Sequence, residues 1–128
     1  MVLWVAFALA DGGIGAAVPE RALERSAPVR LTIENGHLVE ASGEEGTKLM
    51  ELLTVHGPDG TNVAELGIGT NEKAILTGNI LEDEKILGTA HVAFGASAAI
   101  GGNIQVPVHL DVVSMRPEVT IDETPVVL

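Results

Sequence analysis

Alternating apolar and polar positions predict that most of this chain is β-strand. Residues 29–41 read VRLTIENGHLVEA, where Val29, Leu31 and Ile33 alternate with polar neighbours and Asn35-Gly36 supplies the pair that a type I′ turn requires. This pattern predicts a hairpin. By the same rule we expect strands over residues 2–9, 61–68, 89–94 and 104–114, and a closing hairpin over 118–122 and 125–128.

The first helical signal follows this hairpin. Ser42 and Glu45 have the spacing of a capping box in front of residues 43–56. Glu44 and Lys48 are spaced i, i+4 on the face that we expect to meet solvent. The opposite face carries the predicted apolar stripe of Leu49, Leu52, Leu53 and Val55.

A second, shorter helix is predicted over residues 79–88. Asn79 is placed as its N-cap, Glu82 at its third position and Gly88 at its end. The acidic run 82–84 is expected to complement the helix N-terminus and to face solvent. With an Ala-rich loop over 14–27, the pattern predicts one α+β domain over 1–128, mainly a mixed β-sheet with two or three short helices.

Composition narrows the function classes. The formal net charge is −11, and the sequence has no basic patch, so we expect no nucleic-acid partner. Cysteine is absent, so any metal ion would bind through histidine and carboxylate groups. The apolar N-terminal run lacks a basic start and is shorter than the ~20 residues of a membrane span. We therefore predict a cytoplasmic protein with no membrane partner.

Candidate chemistry lies where ionisable residues interrupt apolar strands. Glu65 stands in NVAELGIG, His91 in TAHVAFG, and His109 and Asp111 in VPVHLDVVSM, two apart and so on one face of a strand. Buried charges cost several kcal/mol unless they are paired or bind a metal ion. Zinc and related ions accept such ligands. Two readings stay open, a metal site and a locally satisfied polar network, and the irregular spacing alone favours the network.

Other polar residues carry weaker signals. His37 beside a turn and His56 at a helix end are expected to be exposed and without function. The loop GASAAIGGN, residues 95–103, lacks the Lys and Ser/Thr of a phosphate loop, and we interpret its glycines as allowing close backbone approach. Ser97 has no base partner in the sequence, which argues against a serine nucleophile.

Two segments, AELGIGTNEKAILTGNILEDEKILGTAHVAFG and GGNIQVPVHLDVV, resemble the C-terminal part of leucyl-aminopeptidase-like proteins of the aminopeptidase T family. The upstream stretch PVRLTIENGHLVEASGEEGTKLMELL is similar to the segment that precedes them, so the resemblance covers about residues 28–122. It implies a pair of divalent ions held by two glutamates, two histidines and an aspartate, with a tyrosine nearby. Matched by motif, Glu65 is the second glutamate, His91 the first histidine, and His109 and Asp111 the His-x-Asp pair. The resemblance therefore favours the metal site.

The same resemblance implies a metal-dependent aminopeptidase, a hydrolase acting on peptides with one or two Zn, Co or Mn ions per chain. Glu65 would be a ligand or the catalytic base. The family's first glutamate and its large N-terminal domain have no counterpart here, and the tyrosine falls near Ala98 in a chain without tyrosine. We therefore expect weak or absent peptidase activity from this chain alone.

Three functions from different classes follow. The first is a metal-binding hydrolase domain, completed by a separate chain that supplies the missing N-terminal domain. The second is a non-catalytic binding or self-assembly module that retains the fold. The third is a self-associating β-rich protein whose polar core residues are structural. In all three cases we predict a homo-oligomer, because the apolar segments 1–9 and 124–128 would form edges that pair with those of another copy.

Overall fold

Antiparallel hairpins organise the chain in the computed structural model, which describes residues 2–5, 29–115, 117, 119–121 and 123–128. The strands in this part are β1 (Val2–Val5), β2 (Val29–Glu34), β3 (His37–Ala41), β4 (Val63–Ile68), β5 (Thr89–Gly95), β6 (His109–Met115), β7 (Val119–Ile121) and β8 (Thr124–Val126). They form three sheets with the orders β1-β2-β3, β4-β5-β6 and β7-β8.

The α+β class with dominant strands is confirmed, and the hairpin turn has the predicted positive φ at Asn35 and Gly36. Every named strand pair in the described residues is antiparallel, and the parallel pairing found among them is the isolated Asn71–Ile86 bridge. The strand predicted over 104–114 begins only at His109, because Pro107 has no N–H to donate to a ladder. The remainder of the strand predicted over 2–9 and the loop 14–27 lie outside the described residues.

Helix α1 (Gly43–Thr54) buries Leu49 and Leu53 against the sheets, as predicted. The capping box is wrong, because the Ser42 hydroxyl accepts a hydrogen bond from the Arg30 N–H at 2.8 Å instead of a helical N–H. The start of the helix is thereby tied to β2. Two members of the predicted stripe, Leu52 and Val55, are exposed. The Glu44–Lys48 ion pair on the outer face is confirmed.

Helix α2 (Ile80–Asp83) is one turn long, shorter than predicted. Its N-cap is confirmed, since the Asn79 side chain accepts a hydrogen bond from the Leu81 N–H at 3.1 Å. The prediction that the acidic run faces solvent is wrong for Asp83, which is buried and accepts hydrogen bonds from the N–H and hydroxyl of Thr77. It is wrong for Glu84 too, whose side chain is largely buried.

A single aliphatic core joins the two three-stranded sheets to α1. The central strand of the β4-β5-β6 sheet, β5, is covered on both faces. Val92 and Phe94 point from β5 into the apolar core, and His91 points to the other face. The core residues are Val29, Leu31, Ile33, Leu38, Leu49, Leu53, Val92, Phe94, Val108, Leu110 and Val112. The second face of the β4-β5-β6 sheet is therefore where polar groups can collect.

Candidate metal centre

Strand register brings the four predicted residues to one face of the β4-β5-β6 sheet. Glu65 and Asp111 both lie opposite Ala93 of β5, and His109 lies opposite Gly95. His91 is two residues before Ala93, so its imidazole projects to the same face. Residues far apart in the sequence thus meet because each sits at the matching position of an antiparallel ladder.

Three of the four form the tightest group. One ligand atom from each of Glu65, His91 and Asp111 lies within 4.8 Å of the other two. His91 Nε2 is 3.2 Å from Glu65 Oε1. The side-chain exposure is 7% for His91, 31% for Glu65 and 16% for Asp111, so solvent reaches the group from the glutamate side.

The fourth predicted residue, His109, faces the same carboxylates from the other side. Its Nδ1 lies 2.7 Å from the Ala96 carbonyl oxygen and must donate a proton to it, because a carbonyl can only accept. This fixes Nε2 as the nitrogen that faces the cluster, 3.7 Å from both Glu65 Oε2 and Asp111 Oδ1. A backbone carbonyl that orients an imidazole in this way is typical of metal-binding histidines.

A glycine makes room for His91. A Cβ atom at Gly67 would overlap the Cε1 and Nε2 atoms of the His91 ring, which lies over the neighbouring strand. The imidazole can therefore lean toward Glu65 only because position 67 has no side chain.

The charges of the cluster suit a cation. Burial raises the pKa of Asp111, and nearby Glu84 and Glu65 raise it further, whereas His109 and His91 oppose the shift. A ring nitrogen and a carboxylate oxygen repel through their lone pairs unless a proton or a cation lies between them. His91 Nδ1 is also buried with no hydrogen-bond partner in the described part of the chain. Two imidazoles and two carboxylates fit a divalent ion that prefers nitrogen and oxygen ligands.

Among the residues at this site that the sequence patterns did not indicate are Glu84 and Lys85. Glu84 Oε2 is 3.9 Å from His91 Nε2, and Glu84 Oε1 is 2.6 Å from Lys85 Nζ. Both residues lie in the connection between β4 and β5. The Asn71–Ile86 bridge folds this connection back on itself, and α2 contacts β6, so the connection lies beside the cluster. The motif EDEK was the available signal, and it reads equally well as a solvated helix end.

The other candidates do not join the cluster. His37 and His56 are half-buried rather than exposed, and His37 contacts the Thr61 hydroxyl. In the loop 95–103, six N–H groups bond to carbonyls of the loop or of the chain that follows it, so they are not available to wrap an anion. The close backbone approach predicted for this loop is confirmed at Gly95, which has φ +103° and no room for a Cβ beside the Val108 carbonyl.

Comparison with known proteins adds no relative. No family model, no curated protein and no solved structure matches this chain. Among the residues that the structure describes, no helix has the length and apolar character needed to cross a membrane.

Proposed function

We propose that this protein is a divalent-metal-binding domain whose ion is held by Glu65, His91 and Asp111, with His109 as a further ligand. The convergence of the first three residues within 4.8 Å carries the proposal. The orientation of His109 by the Ala96 carbonyl supports it, because this hydrogen bond leaves Nε2 free to bind. Zn, Co and Mn are the ions that such a set of imidazole and carboxylate ligands would accept, one or two per chain.

We further propose that the domain is related to metal-dependent aminopeptidases and acts, if catalysis is retained, on the N-terminal bond of a peptide. The resemblance of residues 28–122 to the aminopeptidase T family supports this finer assignment. A bound ion would supply a water of lowered pKa and polarise the scissile carbonyl. Glu65 is suited to receive the proton of that water, because its side chain is more exposed to solvent than those of His91 and Asp111.

The cluster lacks the tyrosine that the resemblance implies, and three carboxylates are available only if Glu84 is counted. We therefore expect weak or absent peptidase activity from these residues alone, and we propose that a separate chain supplies a further ligand. The lack of cysteine fits a cytoplasmic setting, which stays a prediction from composition.

A second candidate function is self-assembly without catalysis. Leu66 and Ile68 are exposed on β4, an edge strand of its sheet, and Val126 and Val127 are exposed near β8. Exposed apolar side chains on edge strands favour pairing between copies. Sedimentation equilibrium tests this homo-oligomer, and a monomer at high concentration would contradict it.

Metal binding is tested first by measuring the metal content of protein purified without chelator. Calorimetric titration of the ion-free protein with Zn²⁺ or Co²⁺ then gives affinity and stoichiometry. We expect one or two ions per chain in the wild type and a loss of binding in Glu65→Gln, which keeps the shape of the side chain. Glu51→Gln, on the exposed face of α1, is the matched control and should bind as the wild type does.

The outcomes separate the candidate functions. Binding that is lost in Glu65→Gln and kept in Glu51→Gln supports the metal centre, and hydrolysis of leucyl-anilide then tests catalysis. A wild-type chain that binds no ion at micromolar concentrations contradicts the metal centre. The four residues would then form a structural network, and the assembly function would be preferred.

A further inference from the structure

Glu84 is a carboxylate beside the cluster that no sequence motif assigned to it. Glu84 directly follows α2, and its side chain is only 13% exposed and extends toward the imidazole of His91. Burying a carboxylate is costly unless its oxygens are paired. The environment of each Glu84 oxygen therefore indicates what the side chain does.

The two oxygens of Glu84 have different partners. Oε1 is 2.6 Å from the ammonium of Lys85, a charge-assisted contact that satisfies it. Oε2 is directed to the cluster, 3.9 Å from His91 Nε2, too far for a hydrogen bond. An oxygen that is aimed at a buried imidazole without bonding to it has room for a cation between the two atoms.

The buried imidazole gives independent support. The His91 side chain is more than nine-tenths buried, and its Nδ1 has no hydrogen-bond partner within the described residues. Glu65 and Glu84 approach Nε2 of this ring, at 3.2 Å and 3.9 Å. Two carboxylates that face one imidazole nitrogen form an electronegative pocket that a divalent ion would neutralise.

We propose that Glu84 contributes a further ligand, through Oε2, to the ion beside His91, while Lys85 occupies its other oxygen. This inference rests on the proposed metal-binding function and extends it to a residue outside the predicted set. Glu84 gives the site a carboxylate from the connection between β4 and β5, in addition to those from β4 and β6.

Co²⁺ is the probe for the test, because its visible absorption reports its ligands independently of any activity. Glu84→Gln is compared with Glu82→Gln, which alters an exposed residue of α2 two positions earlier. We expect Glu84→Gln to lower Co²⁺ affinity by at least about tenfold and to change the spectrum of the bound ion. Glu82→Gln should match the wild type in both measurements.

Three results would overturn the proposal. If the wild type binds Co²⁺ and Glu84→Gln binds it with the same affinity and spectrum, Glu84 is not a ligand and the metal centre stands. If the wild type binds no Co²⁺, the metal centre itself fails and Glu84 fails with it. Should Glu84→Gln not fold, Glu84→Asp withdraws the carboxylate by one methylene, and wild-type affinity in that variant would equally overturn the assignment.

Discussion

Gly67→Ala tests the packing on which the proposed metal centre depends. The φ angle of Gly67 is not positive, so alanine suits its backbone conformation. The lower conformational entropy of the unfolded chain would by itself stabilise the protein by about 0.4–1 kcal/mol. The structure predicts the opposite sign. The new Cβ would overlap three atoms of the His91 ring, and that ring is too deeply buried to swing into solvent.

The expected magnitude follows from overpacking a buried side chain, which costs typically 1–3 kcal/mol. A net loss of about 2 kcal/mol corresponds to a fall in Tm on the order of 5–15 °C for a domain of this size. Displacing His91 also moves one of the proposed ligands, so Zn²⁺ affinity should fall by at least about tenfold.

Thermal melting of the ion-free protein and calorimetric titration with Zn²⁺ measure the two effects. Gly46→Ala is the matched control, because its Cβ would overlap the backbone of Ala41, remote from the cluster. It should lower Tm and leave Zn²⁺ affinity unchanged. Wild-type Tm and affinity in Gly67→Ala would refute the reasoning, as would an equal loss of affinity in the control.

Three further predictions concern the buried charge, the core and a helix cap. Burial raises the pKa of Asp111 in the folded state, so the ionised carboxylate destabilises the ion-free fold. This penalty is absent below the unfolded-state pKa and develops as pH rises through the folded-state pKa. Asp111→Asn should therefore melt no lower than the ion-free wild type at pH 7 while losing Zn²⁺ binding, and a clearly lower Tm would contradict this. Phe94→Ala should cost about 3–5 kcal/mol in urea unfolding, because Phe94 is fully buried, whereas the exposed Leu81→Ala should cost less than about 0.5 kcal/mol. Asn79→Ala removes the N-cap of α2 and should cost about 1 kcal/mol by the same measurement, with an unchanged unfolding midpoint as the contrary result.

The sequence by itself determined the local elements whose signals are local. The hairpin of β2 and β3 follows from alternation and from Asn35-Gly36, a pair that accepts positive φ. The N-cap of α2 follows from Asn79, whose side chain bonds within its own turn. The sequence also indicated four polar residues that needed partners, because a charge within an apolar strand needs a partner wherever the strand lies. These residues are Glu65, His91, His109 and Asp111.

Only the tertiary structure decided the interactions between distant segments. Ser42 had a capping signal, but its hydroxyl bonds to Arg30 of β2, a competing donor that no local pattern reveals. Glu84 and Gly67 acquired their places at the cluster from the return of the 69–88 connection and from the register of β4 on β5. Local periodicity specifies which face a side chain occupies, whereas register and loop path specify what that face meets. The four residues of the cluster could therefore be predicted from the sequence, whereas the positions of Glu84 and Gly67 beside them depended on the fold.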